Sequence, residues 1–284
     1  MSADASTIAQ TSRAVFLDVD GTYADYGVVP DGHVRAVRAA RRAGHKVLLC
    51  TGRPVSMLPA SILGAGFDGL VASAGAYVEV AGKVLVDRQF PTDLAARTVA
   101  ALDAHDAVYI LEARDSLFAP QAAALRLRMI IEEHFRRAPD GHAAGSSAIL
   151  DALSLVPDPA AAPFAKVSVF AAPIPLEHLA AEIGTDIAVV ENSIADEGRH
   201  AGELYQRGIS KADGVAAAIA FLGIDREDTI AIGDGQNDLE MIAFAGVGVA
   251  IEGSYPELVA LADRTAAPPS REGLVAAFAE LGLC

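Results

Sequence analysis

The run Ala14-Val-Phe-Leu-Asp-Val-Asp-Gly-Thr22 decides the fold. Its apolar opening does not alternate, which suits a strand buried on both faces in a parallel sheet, and the acids, glycine and threonine after it suit a loop at its end. Outward from it, residues 32–43 carry Val34, Val37 and Ala40 at helical spacing and stop at Gly44. Lys46-Val-Leu-Leu-Cys50 is a second apolar run, ending in Thr51-Gly52-Arg53-Pro54, and Gly69-Leu-Val-Ala-Ser73 is a third. This alternation of strand and helix predicts an α/β protein built on a doubly wound parallel sheet.

The same rhythm returns late in the chain. The pattern predicts helices over 209–222, 237–245 and 271–281, with strands over 229–233 and 247–251 between them. The middle reads differently. Residues 78–86 alternate around Ala81-Gly82 like a hairpin. Helices are expected over 92–105, 121–137 and 176–183, strands over 107–111, 165–170 and 187–191, and a proline-rich loop over 157–163. This mixed α+β texture predicts an inserted domain at 85–196, dividing a core of 1–84 and 197–284.

Composition narrows the function. The 284 residues are 52% apolar and 21% charged, as in a globular chain. The formal net charge of −15 opposes attraction to phosphate backbones and anionic lipid, so neither nucleic acid nor membrane is expected as a partner. No apolar run reaches the roughly 18 residues of a membrane span. Residues 1–13 are polar, lack the order of a secretory signal and are expected to form a frayed tail. Cys50 and Cys284 are too few for a disulfide framework, so a cytoplasmic monomer or homodimer is expected, with Cys50 a small buried residue.

Four polar clusters come after the predicted strands of the two outer regions, where doubly wound sheets bind ligands. Asp18 and Asp20, two apart at a strand end, are expected on the same side, with charge that a hard cation such as Mg²⁺ would neutralise; a solvated acidic turn is the alternative. Gly233-Asp-Gly-Gln-Asn-Asp238 places more acids before a helix, where a simple turn and N-cap is the competing account. Thr51-Gly52 offers a hydroxyl and backbone N–H groups at a helix start, suited to phosphate or to an ordinary turn. Lys211 opens a helix, where a lysine opposes the macrodipole; it is either solvated or set to hold an anion.

In this order the four clusters resemble the motifs of the haloacid dehalogenase-like (HAD) hydrolases, and within them the Cof-like phosphatases. The long gap between Thr51 and Lys211 falls where Cof-like members carry an α/β cap, and Gly246-Val-Gly-Val-Ala250 with Glu272-Gly-Leu-Val275 resembles their C-terminal segment. The resemblance implies a Mg²⁺-dependent phosphomonoesterase acting on a small phosphorylated metabolite. It implies Asp18 as the nucleophile and a metal ligand. Asp20 would be the acid and base, with its backbone carbonyl on the metal, and Asp234 would complete the metal site. Thr51, Gly52 and Asn237 would hold phosphate, Lys211 would neutralise charge on the phosphoryl group and on Asp18, and Asp238 would support the metal from behind. Ala74-Gly75-Ala76 and Gly253-Ser254 depart from the Asn-Gly-Ala and Asn-Ala of many relatives, which weakens analogy of substrate but not of chemistry. A phosphomutase and a non-catalytic sugar-phosphate sensor are the competing functions. Glu112, Arg114 and Arg136 of the inserted region are expected to be surface charges rather than substrate contacts.

Overall fold

The computed structural model describes residues 12–137, 149–191 and 200–284. The expected N-terminal tail lies almost wholly outside them.

β1 (Ala14–Leu17) is the hub of an eight-stranded sheet. Each of its residues is paired in parallel on both sides, with β2 (Lys46–Cys50) and with β12 (Thr229–Gly233). The full order is β14-β13-β12-β1-β2-β3-β4-β5, where β3 is Gly69–Ala72, β4 Tyr77–Val80, β5 Lys83–Asp87, β13 Val247–Ile251 and β14 Arg264–Ala266. Successive side chains of a strand point to opposite faces. Val15 and Leu17 accordingly pack with Val37 of α1 (Asp31–Arg42) and Phe278 of α9 (Gly273–Glu280). Ala14 and Phe16 pack on the other face with Val215 of α6 (Lys211–Leu222), Met241 of α7 (Leu239–Phe244) and Leu258 of α8 (Pro256–Leu261). The expected doubly wound sheet is therefore present. A short helix, α2 (Ala60–Leu63), precedes β3.

The inserted region forms a second sheet, ordered β10-β11-β9-β6-β7-β8. Its strands are β6 (Val108–Glu112), β7 (Leu117–Pro120), β8 (Leu153–Val156), β9 (Lys166–Ala172), β10 (Ile187–Glu191) and β11 (His200–Gln206). One face packs Tyr109, Leu111, Val167 and Val169 under α3 (Thr92–Ala104) and α5 (Leu176–Ile183). Part of the other packs Val108 and Leu117 against Leu127 and Ile131 of α4 (Ala124–Arg137).

The two sheets exchange the chain at points other than those expected. β5 continues past residue 84 in the core sheet, since the hairpin β4–β5 adds antiparallel to β3 and extends its edge. Ala81 and Gly82 both take the positive φ that a tight two-residue turn requires, which fixes that hairpin. β11 starts beyond residue 196 yet pairs with β9 and β10, so the return crossing comes after Gln206. Strands β7, β8, β11 and β14 lack the run of period that would reveal them, and their pairing comes from the sheet. Among the described residues no helix is long and apolar enough to cross a membrane.

Candidate active site

The strand order reverses at β1, the place where open α/β sheets bind ligands. Three loops meet there. The chain leaves the ladder after Leu17, and the backbone N–H of Asp18 donates to the Ile232 carbonyl at 2.9 Å, which anchors the first loop beside β12. Gly21, at φ +81°, brings its α-carbon against the Asp234 carboxylate where a side chain would collide. The Thr22 hydroxyl donates to Asp234 Oδ1 at 2.8 Å and ties the two loops together.

Lys211 stands at the centre. Ser210 caps α6 with a reciprocal Ser210–Asp213 pair, which serves the helix N-terminus without Lys211. The lysine is 1% exposed, and its Nζ donates to Asp18 Oδ1 at 2.7 Å and to Asp238 Oδ1 at 2.6 Å. The solvated alternative is thereby excluded. Asp238 Oδ2 accepts the backbone N–H groups of Asp234 at 3.0 Å and Gly235 at 2.9 Å, so this acid holds its own loop in shape. Burial opposes the charge on Lys211, yet Asp18 and Asp238 outweigh it and raise its pKa. Burial lifts Asp18 well above the usual carboxylate range against the pull of Lys211, with Asp238 and Asp234 adding to the rise. Asp234 is pushed up to about 6, chiefly by burial, with Thr22 opposing.

Carboxylate oxygens of Asp18, Asp234 and Asp238 lie within 4.8 Å of one another. One ammonium faces three acids, which leaves the cluster short of positive charge. The donors are all hard oxygens, and Asp18 and Asp234 line the cavity above them. This set fits a divalent cation that prefers oxygen ligands.

Asp18 and Asp20 border the same cavity, but their carboxylates take different partners. Because Asp18 and Asp20 lie in a loop rather than a strand, alternation does not govern them. Asp18 turns inward, while the half-exposed Asp20 carboxylate takes a two-pronged pair with Arg53, at 2.7 Å to Nε and 2.5 Å to Nη2. Its side chain is outside the three-acid cluster, and Asp238 is inside it. Arg53 had no role assigned from sequence; its place directly after Thr51-Gly52 was the available signal. Hydrogen bonding and charge from Asp20 raise its pKa despite burial.

Thr51 is buried, and its N–H is spent on the Val71 carbonyl rather than left open. Its hydroxyl accepts the Arg53 N–H at 3.1 Å. Beyond Pro54 the chain makes a single 3₁₀ turn, Val55–Met57, not the expected helix start. Asn237 reaches this loop: a Cβ on Gly52 would lie 3.3 Å from its Nδ2. Asp18, Asp20, Thr51, Gly52, Asp234 and Asn237 thus border one cavity of about 350 Å³.

The inserted sheet roofs that cavity, and here a second expectation is corrected. Glu112, expected at the surface, is 5% exposed and lines the roof with Lys166 and Glu203. Arg114 is half-exposed, pairing with Asp115 at 3.5 Å and covering the Tyr77 ring. Arg136 lies on α4, and its side chain is outside the described part. Cys50 is buried as expected, and burial raises its thiol pKa.

The model of the haloacid dehalogenase-like hydrolase family matches residues 15–278. Over 276 residues the chain is 27% identical to the Bacillus subtilis (strain 168) protein named "Putative phosphatase YkrA", covering 96% of this chain and 98% of that one. A local match, 39% over 75 residues and 28% of the relative, reaches the 5-amino-6-(5-phospho-D-ribitylamino)uracil phosphatase YitU of the same organism. The solved structure of the HAD subclass IIB sugar phosphatase BT4131 superposes with a TM-score of 0.75 at 22% identity, covering 96% of this chain and 100% of that one. A haloacid dehalogenase-like hydrolase from B. subtilis gives 0.76 at 22% identity, with 95% and 99% covered. These two show the fold, including the inserted cap.

Proposed function

Because the chain belongs to the haloacid dehalogenase-like hydrolases, we propose that it is a Mg²⁺-dependent phosphomonoesterase of the Cof-like branch that hydrolyses a small phosphorylated metabolite. The observation that carries this reading is the Lys211 ammonium fixed between Asp18 and Asp238, with Asp234 in the same cluster, at the sheet's switch point under a cap.

Phosphoryl transfer needs positioning and charge neutralisation more than covalent assistance. Asp18 attacks phosphorus through one carboxylate oxygen, the bond to the ester oxygen breaks, and Asp20 gives that oxygen a proton. Water then attacks the aspartyl-phosphate, Asp20 takes up the water's proton, and phosphate leaves with Asp18 restored. Asp20 turns one carboxylate oxygen to the ester oxygen while the other keeps its bond to Arg53. Lys211 pulls Asp18 towards its ionised form against the effect of burial, as a bound cation would, and neutralises the incoming phosphoryl charge. Thr51, Gly52 and Asn237 hold the phosphoryl oxygens, and Asp238 keeps the Asp234 loop and Lys211 in register. Asp18, Asp234 and the Asp20 backbone carbonyl would hold Mg²⁺, which supplies electrostatic neutralisation between carboxylates and phosphate.

The cap unit is proposed to lie between the sheet crossings, at residues 88–206, in place of 85–196, with the rest forming the core. A monomer or homodimer in the cytoplasm is its proposed setting. Phosphate release from a panel of sugar, nucleotide and cofactor phosphates, with and without Mg²⁺, tests the reading. Metal-dependent release that disappears in Asp18→Asn supports it. Isomer interconversion without free phosphate would turn it into a mutase, and binding with no turnover into a sensor.

A further inference from the structure

The roof of the cavity is one face of the cap sheet, and its chemistry is set by strand register. Across β6 and β9 Glu112 stands opposite Lys166, and across β9 and β11 Ser168 stands opposite Glu203. Period-two alternation puts Lys166 and Ser168 on the same face, away from the packed Val167 and Val169. All four polar residues border the cavity that Asp18 and Asp234 border from below.

Lys166 is 2% exposed. Its Nζ donates to Glu203 Oε1 at 2.6 Å and to the Gly52 carbonyl at 2.8 Å, and it stands 3.1 Å from Glu112 Oε2. An ammonium has three N–H bonds, and here protein acceptors occupy three sides of it. The Ser168 hydroxyl donates to Glu112 Oε1. Glu112 Oε2 is buried, with the Lys166 ammonium beside it and no second donor. Among the described residues the other cation bordering the cavity is Arg53, whose guanidinium is given to Asp20 and the Met57 carbonyl. Two carboxylates against one ammonium leave the roof negative and rich in acceptors, and Ile110, Leu117 and Phe170 make the rest of it apolar. A second anion entering there would meet like charge at a buried site, while a donor would meet carboxylate oxygens that share a single ammonium.

We infer that the Glu112–Lys166–Glu203 face of the cap selects phosphomonoesters whose leaving group offers hydrogen-bond donors, an ammonium above all, and carries no second anion. The inference rests on the phosphatase reading for the position of the phosphate and extends it to a substrate class. A cavity of about 350 Å³ suits a leaving group of sugar size.

The test separates binding from turnover. Calorimetry on the full chain carrying Asp18→Asn, in Mg²⁺, compares glucosamine 6-phosphate, glucose 6-phosphate and 6-phosphogluconate, which share size and phosphate position. The expected affinity falls in that order, by about tenfold at each step, as a charge-assisted hydrogen bond is lost and then a like charge is added. Adding Glu112→Gln or Glu203→Gln is expected to compress both steps. Should Glu112→Gln fail to fold, Glu203→Gln serves, because that side chain is 32% exposed. Equal affinities, a preference for the carboxylate, or no binding of any of the three by folded protein overturns the inference. Turnover of p-nitrophenyl phosphate by the parent is scored separately. Its absence overturns the phosphatase reading, while the affinity order still decides what the cap selects.

Discussion

Each half of the molecule buries one lysine among carboxylates, and the two arrangements differ in what they leave open. In the core, Lys211 joins Asp18 and Asp238 from loops that leave their strands, so backbone N–H groups shape the acids and the cavity lies in front of them. In the cap, Lys166 joins Glu112 and Glu203 across neighbouring strands and closes on the core through the Gly52 carbonyl. The core cluster lacks positive charge at the point where a cation and a phosphoryl group would enter. The cap cluster has its cation spoken for and presents acceptors. The same ion-pair chemistry thus serves reaction at loop ends and recognition on a sheet face.

The contrast is tested most severely at Asp18. If the core cluster carries the reaction, Asp18→Asn lowers phosphate release by at least about a thousandfold, while Glu203→Gln on the cap changes relative KM among substrates and leaves kcat for p-nitrophenyl phosphate within about threefold. Steady-state kinetics on both variants decides this.

Stability should divide the same way. Lys211→Met strands two buried acids and is expected to destabilise by about 3–5 kcal/mol in urea unfolding. Lys166→Met should cost less, about 1–3 kcal/mol, because Glu203 reaches solvent and can be hydrated without its partner. Equal losses would show that the clusters do not differ as described.

Mg²⁺ probes the contrast from the ligand side. At a hundredfold excess over its Kd the ion should stabilise the parent by about 2.7 kcal/mol. Asp234→Asn should remove most of that gain in thermal unfolding, and Glu112→Gln should keep it.

The smallest effect is in pH. His33 is buried in the core, where Nδ1–H donates to the Tyr23 carbonyl at 2.9 Å and Nε2 accepts the Leu274 N–H at 3.2 Å, so the ring is neutral. Burial lowers its pKa, against the Tyr23 carbonyl and Glu272. A histidine depressed in the folded state lets the unfolded chain bind the proton first, so stability falls as pH drops below about 6.5. Amide exchange is expected to quicken in α1 and α9 over that range before it does in α3 and α5. His33→Gln should reduce the difference in slope, leaving the share of His45, whose pKa burial also lowers.

Much of the core was legible. Buried strands read as unbroken apolar runs, and turn residues mark where they end, so the sheet around β1 and the four polar clusters emerge from short stretches of chain. Lys166 carried a faint signal: the chain has four lysines, Lys46, Lys83, Lys166 and Lys211, and the structure buries two of them. The alternation that announced the hairpin could not say which sheet it joins, because an edge strand reads alike in either. β7, β8, β11 and β14 are short or irregular, and β11 carries a bulge that breaks its period.

Sequence alone was enough for the α/β core and the presence of an inserted domain, because periodicity and turn chemistry act over a few residues, while the family resemblance is what grouped Asp18, Thr51, Lys211 and Asp234. It took the folded chain to pair Arg53 with Asp20, to bring Asp238 into the three-acid cluster, and to assemble Glu112, Lys166 and Glu203 as the roof. Those contacts join side chains far apart in the chain through strand register and domain closure, and no local pattern encodes either.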